Sequence, residues 1–96
     1  MDLRHQVVLT GILRKYLSKE AKVFVYGSRA KGTHQRFSDM DLAIEGELNS
    51  RDLGRLSFDL EDSNLPFQVD VHLIKDFSED FLKLVEGDFV KLKLFT

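Results

Sequence analysis

Apolar and polar positions cycle along this chain in patterns regular enough to predict its elements. From Asp2 to Ser18, residues Leu9, Ile12, Leu13, Tyr16 and Leu17 recur at three- and four-residue spacing, the period of an amphipathic helix. Gly11 inside it is either a cost to that helix or a point of close backbone approach. Lys22 to Tyr26 is a short β-branched and aromatic run, a strand. From Asp39 to Glu45 the pattern alternates, so Met40, Leu42 and Ile44 share a core face while Asp39 and Asp41 share the other. Its far end, Glu45-Gly46-Glu47, turns into solvent. Asn49 or Ser50 caps a second helix with Asp52 in its first turn and Leu53, Leu56 and Leu60 along one stripe, ending near Asp62.

Asn64 and Pro66 break that pattern, and Phe67, Val69, Val71 and Leu73 then alternate with Gln68, Asp70, His72 and Ile74 as a third strand. Ser78 caps a third helix that Gly87 ends, with Phe77 packed on Leu82 as a staple. Val90, Leu92 and Leu94 alternate with Lys91 and Lys93 in an edge strand whose lysines discourage further pairing. The mixture predicts an α/β (α+β) fold, a small mixed sheet with flanking helices, as a single domain over residues 1–96. Phe24, Phe58, Phe67 and Phe81 are assigned to its core rather than to a base-stacking platform.

Composition narrows the chemistry. The chain has no cysteine, which excludes disulfides, zinc–thiolate sites and thiol catalysis and predicts a cytoplasmic setting. No apolar run approaches about 18 residues, so no membrane span is expected. Charge is unevenly spread: residues 1–41 hold eight Lys/Arg against four Asp/Glu, and residues 42–96 hold six against twelve. A net charge of −2 argues against nucleic acid as the main, electrostatically held partner.

The basic half contains the stretch that carries chemistry, GSRAKGTHQRFSDMDL from Gly27 to Leu42. Gly27 and Ser28 follow a strand, where a turn offers backbone N–H groups and a hydroxyl to an anion. Asp39 and Asp41 place two carboxylates on one patch, a pair whose mutual repulsion a divalent cation relieves. Oxygen-only ligands favour magnesium, manganese or calcium over zinc. Gly27 and Gly32 have P-loop spacing, but Thr33 stands where the phosphate-binding lysine is required and His34 where Ser or Thr would hold magnesium. The three histidines, His5, His34 and His72, form no metal-ligand spacing.

The joint pattern of Gly-Ser, ten residues, then Asp-x-Asp resembles the signature of the DNA polymerase β-like nucleotidyltransferase superfamily. Gly27, Ser28, Ala30, Gly32, Ser38, Asp39, Asp41 and Leu42 look most like its minimal nucleotidyltransferase branch, with Lys31 where arginine is usual. That substitution keeps the charge and loses a bidentate donor. The resemblance implies the polymerase β-like fold, with Asp39 and Asp41 as metal ligands and Asp70 as third carboxylate, ligand or general base. It also implies Mg2+ as cofactor, two ions, with Mn2+ able to substitute. Gly27, Ser28, Arg29, Lys31 and Ser38 would bind nucleotide, with Arg36 a further cation, and His34 and His72 are peripheral candidates.

What this predicts is transfer of a nucleoside monophosphate, AMP from ATP, to a hydroxyl acceptor. Ninety-six residues leave no room for an acceptor domain, so the acceptor comes from a partner or a second copy. For the minimal branch the resemblance implies a partner protein of the HEPN family, a toxin that this chain silences as antitoxin by adenylylating a tyrosine or other hydroxyl. Two alternatives stay open: a non-catalytic antitoxin subunit that binds nucleotide or partner, and transfer to a small molecule or nucleic-acid end. Base selectivity, acceptor, number of units transferred and homo-oligomeric state are not legible in the residues.

Overall fold

The computed structural model describes residues 3–27 and 39–94. Helix α1 (Leu3–Arg14) leads to strand β1 (Lys22–Tyr26), then β2 (Met40–Glu45), helix α2 (Ser50–Glu61), β3 (Val69–Leu73), helix α3 (Glu79–Val85) and β4 (Val90–Leu92), with single 3₁₀ turns at Ile74–Asp76 and Glu86–Asp88. The strands form one mixed sheet in the order β3-β2-β1-β4. β1 pairs antiparallel with β2 and β4, and β2 pairs parallel with β3. Parallel neighbours need a crossover, and α2 supplies it. No helix among the described residues is long and apolar enough to cross a membrane.

One face of the sheet is the main core. Leu9, Leu13 and Leu17 from the α1 side and Leu56 and Leu60 from α2 join Val23, Val25, Leu42, Ile44, Leu73 and Leu92 in one buried cluster. Truncating a fully buried member such as Leu13 to alanine removes about 2–5 kcal/mol. The α1 pattern holds, but the helix ends at Arg14 rather than Ser18. Tyr16 N–H bonds back to Leu13 C=O at 3.1 Å, a tightened last turn that still seats Leu17 in the core. Arg14 reaches across to the segment just past β4, donating from Nη1 to Leu94 C=O at 3.0 Å.

Both predicted caps form. Asn49 Oδ1 accepts from Asp52 N–H at 2.8 Å, and Ser78 Oγ accepts from Phe81 N–H at 3.1 Å. Each satisfies a backbone donor that the first helical turn leaves over, worth about 1 kcal/mol. Among the described residues no other backbone approaches Gly11: a methyl there would meet nothing within 4 Å, which leaves the reading of it as a cost to the helix. The turn after β2 is exposed as expected, yet Gly46 is held tightly. Its φ is +150°, and a Cβ would sit 3.0 Å from that of Ala21.

The second face is aromatic. Phe24 stacks on Phe89 at 5.1 Å, and Tyr26 contacts the rings of Phe77, Phe81 and Phe89 at 6.0, 6.5 and 5.8 Å. Phe67 is buried as predicted, whereas Phe58 is 64% exposed and Phe81 39% exposed. The assignment of those two to the core is therefore corrected. On α2 the buried stripe is Leu56 and Leu60, and a residue two positions on from Leu56 is turned about 200° away from it. Phe81 gives one side to Phe77, at 4.9 Å, and the other to solvent.

Candidate active site

β1 ends at Tyr26 and delivers Gly27, whose φ of +77° lies in the left-handed region that favours glycine. The side of Gly27 that lacks a side chain faces Asp41: a Cβ there would lie 3.1 Å from Asp41 Oδ2. The turn backbone therefore rests directly against a carboxylate. That close approach accounts for the glycine independently of any role in binding phosphate.

Register builds the rest. Tyr26 pairs with Asp41 across β1 and β2, and Asp41 pairs with Asp70 across β2 and β3. Paired positions point to the same face, so Tyr26, Asp41 and Asp70 form one row across three strands, with neighbouring backbones about 4.8 Å apart. The next row is Phe24, Ala43 and His72, on the same face. Asp39 precedes the strand and is exposed. The strand expected over Asp39 to Glu45, with Asp39 on the face of Asp41, starts one residue later, at Met40.

The electrostatics of the row are unbalanced. Asp41 is held above the ordinary carboxylate range, first by burial and then by Asp70; His72 offsets part of this, and Asp39 adds to it. The Tyr26 hydroxyl is likewise pushed up, by burial first and then by Asp41 and Asp70. Gln68 Nε2 donates to Asp70 Oδ1 at 2.9 Å, which orients that carboxylate without neutralising it. Two acids side by side, one of them driven toward protonation, make an arrangement that a cation relieves.

The structure thus brings together Gly27, Asp41 and Asp70, with Asp39 at the margin. Ser28, Arg29, Lys31 and Ser38, together with His34 and Arg36, lie outside the described residues. His5 is elsewhere, edge-on to Phe67 at 5.8 Å. Tyr26 and Gln68 are site neighbours that the sequence reading did not single out. The signal was there for Gln68, two residues before Asp70 in an alternating strand. Tyr26 needed the β1–β2 register.

Among the described residues no group of three or more His, Cys, Asp or Glu side chains is placed to hold a metal ion. A carboxylate pair nevertheless suits magnesium, which commonly takes one or two protein carboxylates and completes its shell with substrate phosphates and water.

Comparison with known proteins agrees with this geometry. Residues 8–93 match the nucleotidyltransferase domain family. A Haemophilus influenzae protein named "Probable protein adenylyltransferase MntA" is 30% identical over 96 residues, spanning 97% of this chain and 84% of that protein. A crystal structure of a toxin–antitoxin with AMP-PNP superposes with a TM-score of 0.74 at 22% identity, covering 95% of this chain and 74% of that one, a likeness of fold. A Gly-turn set against Asp41, a carboxylate pair across parallel strands and a family match over nearly the whole length agree: the chain belongs to the nucleotidyltransferase domain family and is a nucleotidyltransferase.

Proposed function

We propose that the chain transfers AMP from ATP to a hydroxyl of a partner protein, in a toxin–antitoxin pair whose toxin is of the HEPN type. The observation that carries the chemistry is the Asp41–Asp70 pair beside the Gly27 turn. The relative named as a protein adenylyltransferase supports a protein acceptor. The neighbour solved as a toxin–antitoxin with AMP-PNP, an ATP analogue, supports the nucleotide and the setting.

In this reading the Gly27–Ser28 turn takes the β- and γ-phosphates, aided by Arg29, Lys31 and Ser38. Asp39 and Asp41 hold Mg2+, with Asp70 as third ligand or general base. The bound ions would lower the acceptor's pKa and neutralise charge on the triphosphate and the leaving pyrophosphate. The acceptor oxygen forms a bond to the α-phosphorus, the bond from that phosphorus to the α,β-bridging oxygen breaks, and pyrophosphate departs. The acceptor proton passes toward Asp70. Gln68 fixes Asp70 for that task, and burial beside Asp70 keeps Asp41 poised for a cation.

The test is label transfer in a native-host lysate with magnesium, using α-labelled and γ-labelled ATP in parallel and an Asp39→Asn/Asp41→Asn control. Movement of α-label to a discrete protein band with the unmutated chain alone is the expected result. Movement of γ-label would show phosphoryl transfer instead. If neither label moves although Mg-ATP binds, the chain acts as a nucleotide-binding subunit.

A further inference from the structure

β3 stands last in the sheet, paired with β2 on one side and with no described strand on the other. In a parallel pair each residue turns its N–H and C=O to the same side, and successive residues alternate. Met40 N–H donates to Gln68 C=O at 2.8 Å, so Gln68, and with it Asp70 and His72, turn their backbone groups toward β2. Val69, Val71 and Leu73 therefore turn theirs outward.

Along that edge lies a cavity of about 590 Å3, with residues 68–72 in its wall without a gap and Ser57 and Glu61 of α2 opposite. Side chains of successive strand residues point to opposite faces. A cavity touched by five in a row is on neither face; it follows the edge itself, where the N–H and C=O groups that point away from β2 lie. Five residues of strand extend about 16 Å, the length of a short extended peptide. Asp70 belongs both to this wall and to the carboxylate pair, so the cavity opens on the reacting centre. Among the described residues no lysine or arginine lines it, while Glu61 and Asp70 do, which is unsuited to nucleic-acid phosphates.

We propose that this edge is the acceptor subsite: an extended segment of the partner protein adds to β3 as a further strand and carries its hydroxyl side chain to Asp70. The inference rests on the reading of the chain as a protein-modifying nucleotidyltransferase and assigns its acceptor-binding surface. Main-chain hydrogen bonds to Val69 and Val71 supply affinity, and the cavity's side-chain walls supply selectivity. Apolar Leu60, Leu65 and Phe67 in those walls suit a segment that alternates apolar residues with the hydroxyl residue.

Filling the cavity from α2 tests this without touching the carboxylates. Ser57 and Glu61 are exposed, so Ser57→Trp and Glu61→Trp leave the buried core intact. Each is expected to lower α-label transfer to the protein band in host lysate at least tenfold, while affinity for Mg-AMP-PNP stays within twofold and Phe58→Trp, on the exposed side of α2 away from the cavity, transfers as the parent does. With the labelled partner purified, amide exchange at Val69 and Val71 is expected to slow at least tenfold in the complex. Equal transfer by Ser57→Trp and Glu61→Trp, unchanged exchange at Val69 and Val71, or label arriving on nucleic acid or a small molecule would overturn the proposal. No transfer by the unmutated chain would instead overturn the proposed function itself.

Discussion

Asp59 and Asp41 each sit near a tyrosine, and the chain treats them in opposite ways. Asp59 on α2 accepts a hydrogen bond from the Tyr16 hydroxyl and pairs with Lys15 at 3.1 Å, and its carboxyl lies below the ordinary range, chiefly through the Tyr16 bond. Asp41 has Tyr26 as cross-strand neighbour, but what acts on it is burial and a second acid, and its carboxyl lies above that range. The chain supplies a donor and a cation where an acid is structural. Where it buries one acid against another, only His72 among the described residues is seen to offset the repulsion, an arrangement that suits a bound cation, and that difference separates a fold-holding contact from a candidate site.

Removing each acid gives the largest contrast. Asp41→Asn is expected to reduce label transfer at least about a thousandfold, the scale of losing several kcal/mol of charge stabilisation at a phosphoryl centre. Yet without nucleotide or metal it should raise the melting temperature at neutral pH, because it removes a charge that burial and Asp70 oppose. Asp59→Asn should do the reverse, lowering the melting temperature and leaving transfer within twofold. Thermal melts beside the transfer assay check both, and the same sign of melting shift in the two variants would break the comparison.

Gly27→Ala tests whether the Asp41 side is tightly built as well as charged. The added methyl meets Asp41 Oδ2 at 3.1 Å, and the φ of +77° costs a non-glycine residue about 1–2 kcal/mol. Urea unfolding should register that loss, with at least a tenfold fall in transfer because the carboxylate must shift. A variant as stable and as active as the parent would show that the turn tolerates a side chain.

The two acids differed in how legible they were. Asp41 stood out in the sequence because Asp39-Met40-Asp41 and the Gly27-Ser28 turn lie within one short stretch, and Asp70 followed from alternation in its strand together with the family resemblance. Helix stripes and caps at Asn49 and Ser78 were readable for the same reason: their partners lie three or four residues away. The Tyr16–Asp59 bond was not readable, since it joins residues 43 apart, one in the turn after α1 and one on α2, and local pattern does not specify how those two elements dock. Neither was the Tyr26–Asp41–Asp70 row, because a period of two assigns faces but not registers or neighbours. Phe58 was misassigned because its residue type was given more weight than its angular position on α2.

Acid titration should separate the two carboxylates by sign. Asp59 binds its proton less readily folded than unfolded, so its contribution is complete above an unfolded value of about 3.9 and is lost as pH falls through its lower folded value. Asp41 keeps a proton in the folded chain that the unfolded chain has released. Stability therefore declines as pH rises from about 3.9 through its raised value, and the melting gap between Asp41→Asn and the parent opens over that window. Melting curves from acid to neutral pH check this, and gaps that do not change with pH would mean that neither charge acts as described.

The smallest effect, and the finest test, is Tyr16→Phe. It removes the hydroxyl donor to Asp59 and leaves Lys15 in place, so the melting temperature should fall by less than in Asp59→Asn. The gap should close on the acid side as Asp59 takes up its proton. It should also close on the alkaline side: the Tyr16 hydroxyl is itself held above its usual range, mainly by that bond, so its contribution persists below the unfolded value of about 10 and disappears as pH rises through the folded one. A gap confined between those limits identifies the bond as the cause. A gap that persists at both extremes assigns the effect to the ring, which packs against the core and lies under Lys15 at 5.8 Å. Asp59 would then owe its stability to Lys15 alone, and its contrast with Asp41 would reduce to the presence or absence of a cation.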